Sequence, residues 1–277
     1  MTERLILKAE ICKLIALSGF LICMFAGLGG CASNPSLAAT TGKADFITDS
    51  DETDARKRAR IRLELAVGYF EQGKTTTALD ELKQSINADP TLFEAYNLRG
   101  LIYMRLNDVG LAEESFRRAL VINPRASNVQ HNYGWLLCQQ LRVPEAVQMF
   151  STAIADPNYG DRAKTWMTQG LCQMKIGKVA EAEASLAHSY ELDAGNPITG
   201  YNLALLQFNR GEFVRAQFYV RRLNNSELAN AESLWLGIKV ERRIENREAM
   251  LQLASQLKKR FPQSKELALY EKGAFNE

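Results

Sequence analysis

Hydrophobic and polar residues are distributed differently in three successive parts of the chain. Residues 14–30 form an apolar run without a charged residue, and the basic residues Arg4, Lys8 and Lys13 precede it. Residues 32–54 are mostly small, polar or acidic. From about residue 55 onward, the same small and apolar residues return at a fixed interval, which indicates a repeat architecture. The pattern therefore predicts an export signal, a flexible tether and a folded repeat region.

The interval is 34 residues over most of the repeat region. Pairs of like residues at this spacing are Pro90 and Pro124, Gly100 and Gly134, Ala112 and Ala146, Phe116 and Phe150, and Gly177 and Gly211. The small residues allow close helix approach, and the prolines end the second helix of each unit. A unit of this size buries little surface alone, so the units are expected to stack into a solenoid.

The pattern Tyr96-x-x-x-Gly100-x-x-Tyr103, followed by Ala112, Phe116, Ala119 and Pro124, resembles the tetratricopeptide repeat. The resemblance covers about three quarters of the chain. It implies an all-α, right-handed superhelical solenoid of about six helix pairs, starting near residues 59, 93, 127, 163, 197 and 230. The expected domains are a signal peptide (1–30), an acidic tether (31–57), the solenoid (58–262) and a capping helix with a tail (263–277).

The segment LGGC, residues 28–31, ends the apolar run. It resembles the lipobox of bacterial lipoproteins, which implies that Cys31 is acylated and becomes the new N-terminus. The absence of aspartate directly after Cys31 implies a lipid anchor in the outer membrane, on its periplasmic face. The alternative is a membrane-spanning helix, because the apolar run is at the lower length limit for crossing a bilayer.

After removal of a signal peptide, the cysteines other than Cys31 are Cys138 and Cys172. They lie one repeat apart, on the predicted first helices of adjacent units. A disulfide between them is compatible with an exported protein, and two separate buried thiols are the alternative.

One short motif suggests nucleotide binding. GYFEQGKT, residues 68–75, fits the phosphate-loop pattern G-x-x-x-x-G-K-[ST]. The repeat register instead places Gly73 in the turn between two helices and Lys74 on the surface, so that a helix and not a strand precedes the motif. We therefore expect no nucleotide to bind.

The composition argues against nucleic acid and against catalysis. The chain has 34 basic and 32 acidic residues and a formal net charge of +2, which gives no single-sign field for nucleic acid. Its two histidines, His131 and His188, lack metal-ligand spacing, and the sequence contains no H-E-x-x-H, G-x-S-x-G or C-x-x-C motif. We predict a non-enzymatic protein without a metal and without any cofactor other than the covalent lipid.

Among the functions considered, protein binding remains after nucleotide binding, nucleic-acid binding and catalysis. In tetratricopeptide proteins the first helix of each unit lines the concave face, and the resemblance implies a partner-binding surface there. The matching positions are Leu63, Val67, Phe70, Asn97, Leu101, Met104, His131, Trp135, Leu171 and Tyr201, with Arg60, Met167, Met174, Leu205 and Phe208 at further such positions. This set is mostly apolar and suits an amphipathic helix or an extended hydrophobic segment. The alternative is that strong curvature hides these residues against each other.

The third unit, HNYGWLLCQQLRVPEAVQMFSTAIADPNY over residues 131–159, resembles the type IV pilus biogenesis and stability lipoproteins called pilotins. The resemblance implies a monomeric adaptor that helps the pilus secretin subunit to reach the outer membrane and to assemble into multimers. Two alternatives are a scaffold in pilus or envelope assembly that does not bind the secretin, and a lipoprotein activator of a cell-wall synthase.

Overall fold

The computed structural model describes residues 52–275. The predicted signal peptide, Cys31 and most of the predicted tether lie outside this range. Within residues 52–275 the chain forms thirteen α-helices and no strand. In chain order they are α1 Asp54–Glu71, α2 Thr75–Ala88, α3 Phe93–Arg105, α4 Val109–Ile122, α5 Ser127–Gln139, α6 Val143–Ile154, α7 Arg162–Lys175, α8 Val179–Leu192, α9 Pro197–Arg210, α10 Phe213–Asn224, α11 Ala231–Arg243, α12 Arg247–Arg260 and α13 Lys265–Glu271.

The first twelve helices pack as six consecutive pairs. Each odd-numbered helix has its most extensive contact with the even-numbered helix that follows it, and α13 packs on α11 and α12. The predicted all-α fold of stacked helix pairs, closed by a C-terminal helix, is therefore confirmed for the described residues. None of these helices is long and apolar enough to cross a bilayer.

Glycines on the first helices allow the two helices of a pair to approach closely. A Cβ atom added to Gly100 would lie 2.6 Å from the ring of Phe116, and one added to Gly134 would lie 2.7 Å from the ring of Phe150. Both rings are fully buried. Each ring therefore occupies the space that the glycine leaves, and a larger residue at either glycine would force the pair apart.

A residue with positive φ follows the first helix of every pair. These residues are Gly73, Asn107, Leu141, Gly177, Gly211 and Glu245, with φ between 60° and 84°. The prediction that Gly73, Gly177 and Gly211 share one turn position is confirmed. The same turn explains GYFEQGKT, because its first four residues belong to α1 and Lys74 is an exposed residue at the start of α2.

The folded region begins earlier than expected. The solenoid boundary was predicted at residue 58, but α1 begins at Asp54. Two contacts account for the extra turn. The Thr53 side chain accepts a hydrogen bond from the Arg56 amide, which caps the helix, and the Arg56 guanidinium lies 2.6 Å from the Asp89 carboxylate. The start of α1 is therefore held by the end of α2 in the same repeat.

Candidate protein-binding site

The predicted binding positions lie on odd-numbered helices, which we call the inner layer. Contacts join α1 to α3, α3 to α5, α5 to α7 and α9 to α11, so inner-layer helices of neighbouring repeats touch one another. Of the ten predicted positions, nine are half-buried or exposed and one is buried. The alternative in which curvature hides the whole set therefore does not describe these helices.

The first repeat presents three apolar side chains of α1. Leu63 and Phe70 are half-buried and pack against the core of the first pair, while Val67 is 38% exposed. The Arg105 guanidinium lies 5.3 Å from the Phe70 ring centroid and donates a hydrogen bond to the Phe70 carbonyl oxygen. We call Leu63, Val67 and Phe70 the apolar edge of the first repeat. Contacts from α3 order this edge, and Val67 is its most accessible member.

The second and third repeats contribute a partly polar stretch of the inner layer. Leu101 and Met104 are half-buried against the core, and the Asn97 side-chain oxygen accepts a hydrogen bond from Asn132 at 3.1 Å. Trp135 is half-buried, and the Lys175 ammonium lies 5.4 Å from its ring. These side chains are held in place but remain reachable by a partner.

His131 is the exception among the predicted positions. It is only 7% exposed, and its ring lies beside the buried Phe150 ring. Its Nδ1 is 2.8 Å from the Thr165 hydroxyl oxygen, and that hydroxyl donates to the Asp161 carbonyl oxygen. The Thr165 oxygen therefore accepts, and the neutral imidazole carries its proton on Nδ1. His131 joins α5 to α7 and does not line an open surface, contrary to the expectation.

Burial also sets the charge state of His131. Desolvation, helped by the nearby Lys164 ammonium, lowers the pKa of His131 to about 4, although the Asp161 carboxylate opposes the shift. The ring is therefore neutral at physiological pH.

Cys138 and Cys172 are joined by a disulfide in the structure, and their Cα atoms are 5.7 Å apart. Both residues are fully buried. The bond links α5 to α7, the same two helices that His131 and Thr165 connect. Closing a loop with a sequence separation of 34 residues stabilises a fold by about 3–4 kcal/mol on the chain-entropy model.

The fourth and fifth repeats continue the apolar layer. Leu171 is half-buried on α7, and Met167 and Met174 pack partly buried against the neighbouring core. On α9, Tyr201 and Leu205 line a cavity of about 220 Å³ together with residues of α11. This cavity is a concave, partly apolar feature of the kind that accepts a side chain of a partner.

The sixth repeat supplies inner-layer residues that the sequence analysis did not select. A step of 34 residues leads from Leu205 to Lys239 and from Phe208 to Arg242. Lys239 is half-buried and its ammonium lies 5.5 Å from the Phe208 ring. The start near residue 230 predicted for the sixth unit lies one residue too early, because it places Ile238 and Glu241, which are both buried, at these positions. A full step of 34 residues from the fifth repeat finds Lys239 and Arg242.

Metal chemistry receives no support in the part of the chain that the structure describes, because no group of three or more His, Cys, Asp or Glu side chains there could hold an ion.

Comparison with known proteins places these features in a family. Residues 68–107 match the model of the TPR repeat, and residues 93–126 match that of the tetratricopeptide repeat. The crystal structure of PilW, described as a widely conserved type IV pilus biogenesis factor, is 31% identical, with a TM-score of 0.66 over 76% of this chain and 97% of PilW. The chain belongs to the PilW family of type IV pilus biogenesis factors.

A second relative agrees with this assignment. The type IV pilus assembly protein PilF of Pseudomonas aeruginosa is 29% identical over 241 residues, which are 87% of this chain and 92% of PilF. The solved PilF structure matches with a TM-score of 0.71 and 27% identity, over 80% of this chain and all of that chain. The repeats of this chain are thus those of a protein-interaction scaffold related to pilus assembly proteins.

Proposed function

We propose that this protein is a lipid-anchored outer-membrane adaptor that binds the type IV pilus secretin subunit and promotes its localisation and multimer assembly. Membership of the PilW family supports a role in pilus biogenesis. The LGGC segment ending at Cys31 supports the anchor, which would be a covalent lipid and the protein's single cofactor. The inner layer supplies the surface for the client.

The observation that carries the proposal is the accessible apolar edge of the first repeat in a member of a pilus biogenesis family. Leu63, Val67 and Phe70 lie on one helix at spacings of four and three residues, so their side chains share a face. An apolar segment of the client that packs against all three would gain about 25 cal/mol for each Å² of apolar surface that it buries. Micromolar binding corresponds to about 8 kcal/mol, so the edge would need help from further inner-layer contacts.

The anchor and the repeats have separate tasks in this proposal. Acylation of Cys31 with two or more chains would hold the protein stably at the membrane. About two dozen tether residues would span roughly 25–30 Å as a coil, which keeps the repeats near the membrane without fixing their orientation. Delivery would therefore depend on Cys31, and client binding on the inner layer.

The test compares secretin multimers in membranes of cells that carry the wild-type protein, a deletion or a point variant. Val67→Glu is the sharpest surface variant, because Val67 is 38% exposed and the charge should spare the core. An unpaired carboxylate in an apolar contact costs several kcal/mol, so multimer yield should fall although the protein folds and is lipidated. Cys31→Ser should leave the repeats folded but move the secretin away from the outer membrane.

Val121→Glu is the matched control, because Val121 is 70% exposed on α4, outside the inner layer. It should leave multimer yield unchanged. Normal multimers in the deletion strain would refute the adaptor role and favour a pilus or envelope scaffold. Co-purification of a cell-wall synthase in place of the secretin would favour the activator role.

A further inference from the structure

A cavity of about 220 Å³ lies at the start of α9, and it shares no residue with the predicted partner-binding positions. Its walls include Tyr190 of α8, Gly200 of α9, and Tyr219 and Arg222 of α10. We call it the α9 cavity. A cavity of about 150 Å³ in a protein interior can hold benzene, so the α9 cavity is large enough for an aromatic ring.

Gly200 leaves the space of the α9 cavity open. This residue is buried, and a Cβ atom added to it would meet no described atom within 4 Å apart from its chain neighbours and its own helix backbone. By contrast, phenylalanine rings fill the space beside Gly100 and Gly134. The repeat steps of 34 and 36 residues relate Gly200 to one first-helix residue in each other repeat. All of these residues have a side chain beyond Cα: Arg62, Tyr96, Gln130, Trp166 and Leu234.

In the second and fourth repeats, the residue at this position is an aromatic ring that contacts one position of the second helix. The Arg118 guanidinium carbon lies 5.8 Å from the Tyr96 ring centroid. The ring centroids of Trp166 and His188 are 4.8 Å apart. Arg222 has the same second-helix position in the fifth repeat, 34 residues after His188, but the first helix there offers no ring. The α9 cavity therefore has the place that a first-helix ring fills in two other repeats.

The walls of the α9 cavity complement the charge distribution of an aromatic ring. The faces of such a ring carry partial negative charge, which attracts the guanidinium of Arg222. Tyr190 and Tyr219 already form an edge-to-face pair with their ring centroids 5.0 Å apart. A third ring between these groups would gain contacts with the cation and with both tyrosines that an aliphatic side chain of the same size would not.

An exposed apolar surface adjoins the α9 cavity. Phe218 is 63% exposed, and its ring centroid lies 5.1 Å from that of Tyr219 and 6.3 Å from that of Tyr190. Val214, one helical turn earlier on α10, is 72% exposed. A free aromatic molecule in the cavity would leave Phe218 and Val214 in water. A protein segment that inserts a ring can cover both side chains as well.

We propose that the α9 cavity binds an aromatic side chain of a partner protein. The inserted ring would complete the fifth repeat as Tyr96 and Trp166 complete the second and fourth. Residues of the partner beside that ring would pack on Phe218 and Val214. This site is separate from the predicted partner-binding positions of the inner layer, so the protein would hold a second segment while the inner layer holds its client.

The test follows the fluorine NMR signal of the amide of N-acetyl-fluorotyrosine as the full chain in detergent micelles is added, with empty micelles as the blank. We expect saturable binding to the wild type. Gly200→Trp supplies a ring from the chain itself and should abolish this binding. It should also raise the urea midpoint of unfolding, because it fills the cavity and replaces a helical glycine. Gly110→Trp, in the exposed first turn of α4, is the matched control and should leave binding unchanged.

Two comparisons test the preference for an aromatic ring. Arg222→Gln removes the cation and should weaken binding of the probe about twofold to fivefold, the range expected for an accessible cation–π contact. The amide of N-acetyl-cyclohexylalanine has a ring of similar size without a π face, and it should bind at least about twofold more weakly than the tyrosine probe. Circular dichroism checks that each variant is folded. If Gly200→Trp unfolds, Gly200→Leu fills the cavity with the residue that the sixth repeat has at this position.

Several results would overturn the proposal. Equal binding of the tyrosine probe to the wild type and to the filled variant, or no binding to the wild type, would show that the ring does not enter the cavity. Unfolding of both filled variants would show that no side chain fits there. Binding that occurs only in Phe46→Ala would assign the cavity to the single aromatic residue of the tether. Dimerisation that Gly200→Trp abolishes would assign it to a second copy of the chain. The assay contains no secretin, so these results leave the adaptor proposal to its own test.

Discussion

The buried imidazole of His131 predicts a specific loss of stability in mild acid. The pKa of His131 is lowered from 6.5 to about 4 in the folded protein, mainly by burial. Between these two values the unfolded chain binds a proton that the folded chain does not. The contribution of the neutral His131 ring to the free energy of unfolding is therefore complete above about pH 6.5, and it is lost as the pH falls toward 4.

The magnitude follows from the two pKa values. At pH 5 the ring is almost fully protonated in the unfolded chain and mostly neutral in the folded one, and linkage gives a loss of about 2 kcal/mol between pH 7 and pH 5. Carboxylates add little to the change in stability between pH 7 and pH 5. Hydrogen bonds from Arg142 to Glu145 and from Ser127 to Asp156 hold the pKa of both carboxyls below their usual values, which are already below 5.

Urea unfolding at pH 7 and pH 5 measures this difference. In His131→Gln the drop between the two pH values should shrink by about 2 kcal/mol, whatever the substitution costs at pH 7, because that cost cancels in the comparison. Val121→Thr is the control, because Val121 is 70% exposed on α4 and carries no titratable group, and it should leave the drop unchanged. An equal drop in the wild type and in His131→Gln would refute the assignment.

Three further predictions concern individual residues. Leu141→Gly should stabilise the fold by about 0.5–1 kcal/mol in urea unfolding, because Leu141 has φ 61° and is 61% exposed, and a lower unfolding midpoint would contradict the reasoning. Thiol counting on the unfolded, unreduced mature protein should find Cys138 and Cys172 protected, and two free thiols besides Cys31 would refute the disulfide in the cell. Lys74→Ala should change stability by less than about 0.5 kcal/mol, and loss of a nucleotide-dependent activity in this variant would revive the phosphate-loop interpretation.

The repeat interval made the fold predictable. Gly100 and Phe116 recur one interval later as Gly134 and Phe150. In both repeats the phenylalanine ring fills the space beside the glycine. The start of α1 was less predictable, because it depends on the Thr53 cap and on contact between Arg56 and Asp89 at the end of α2. Such contacts do not recur with the interval.

The binding surface was predictable only in part, because the interval fixes where a side chain lies but not what surrounds it. His131 has an inner-layer position, yet Thr165 from the next inner helix engages it and removes it from the surface. Arg242 has the position of Phe208 one repeat later, yet its guanidinium lies against the Phe275 ring. Position along the repeat therefore selects the candidates for partner binding. The neighbours supplied by the adjoining repeat decide which candidates keep an exposed apolar face for a partner.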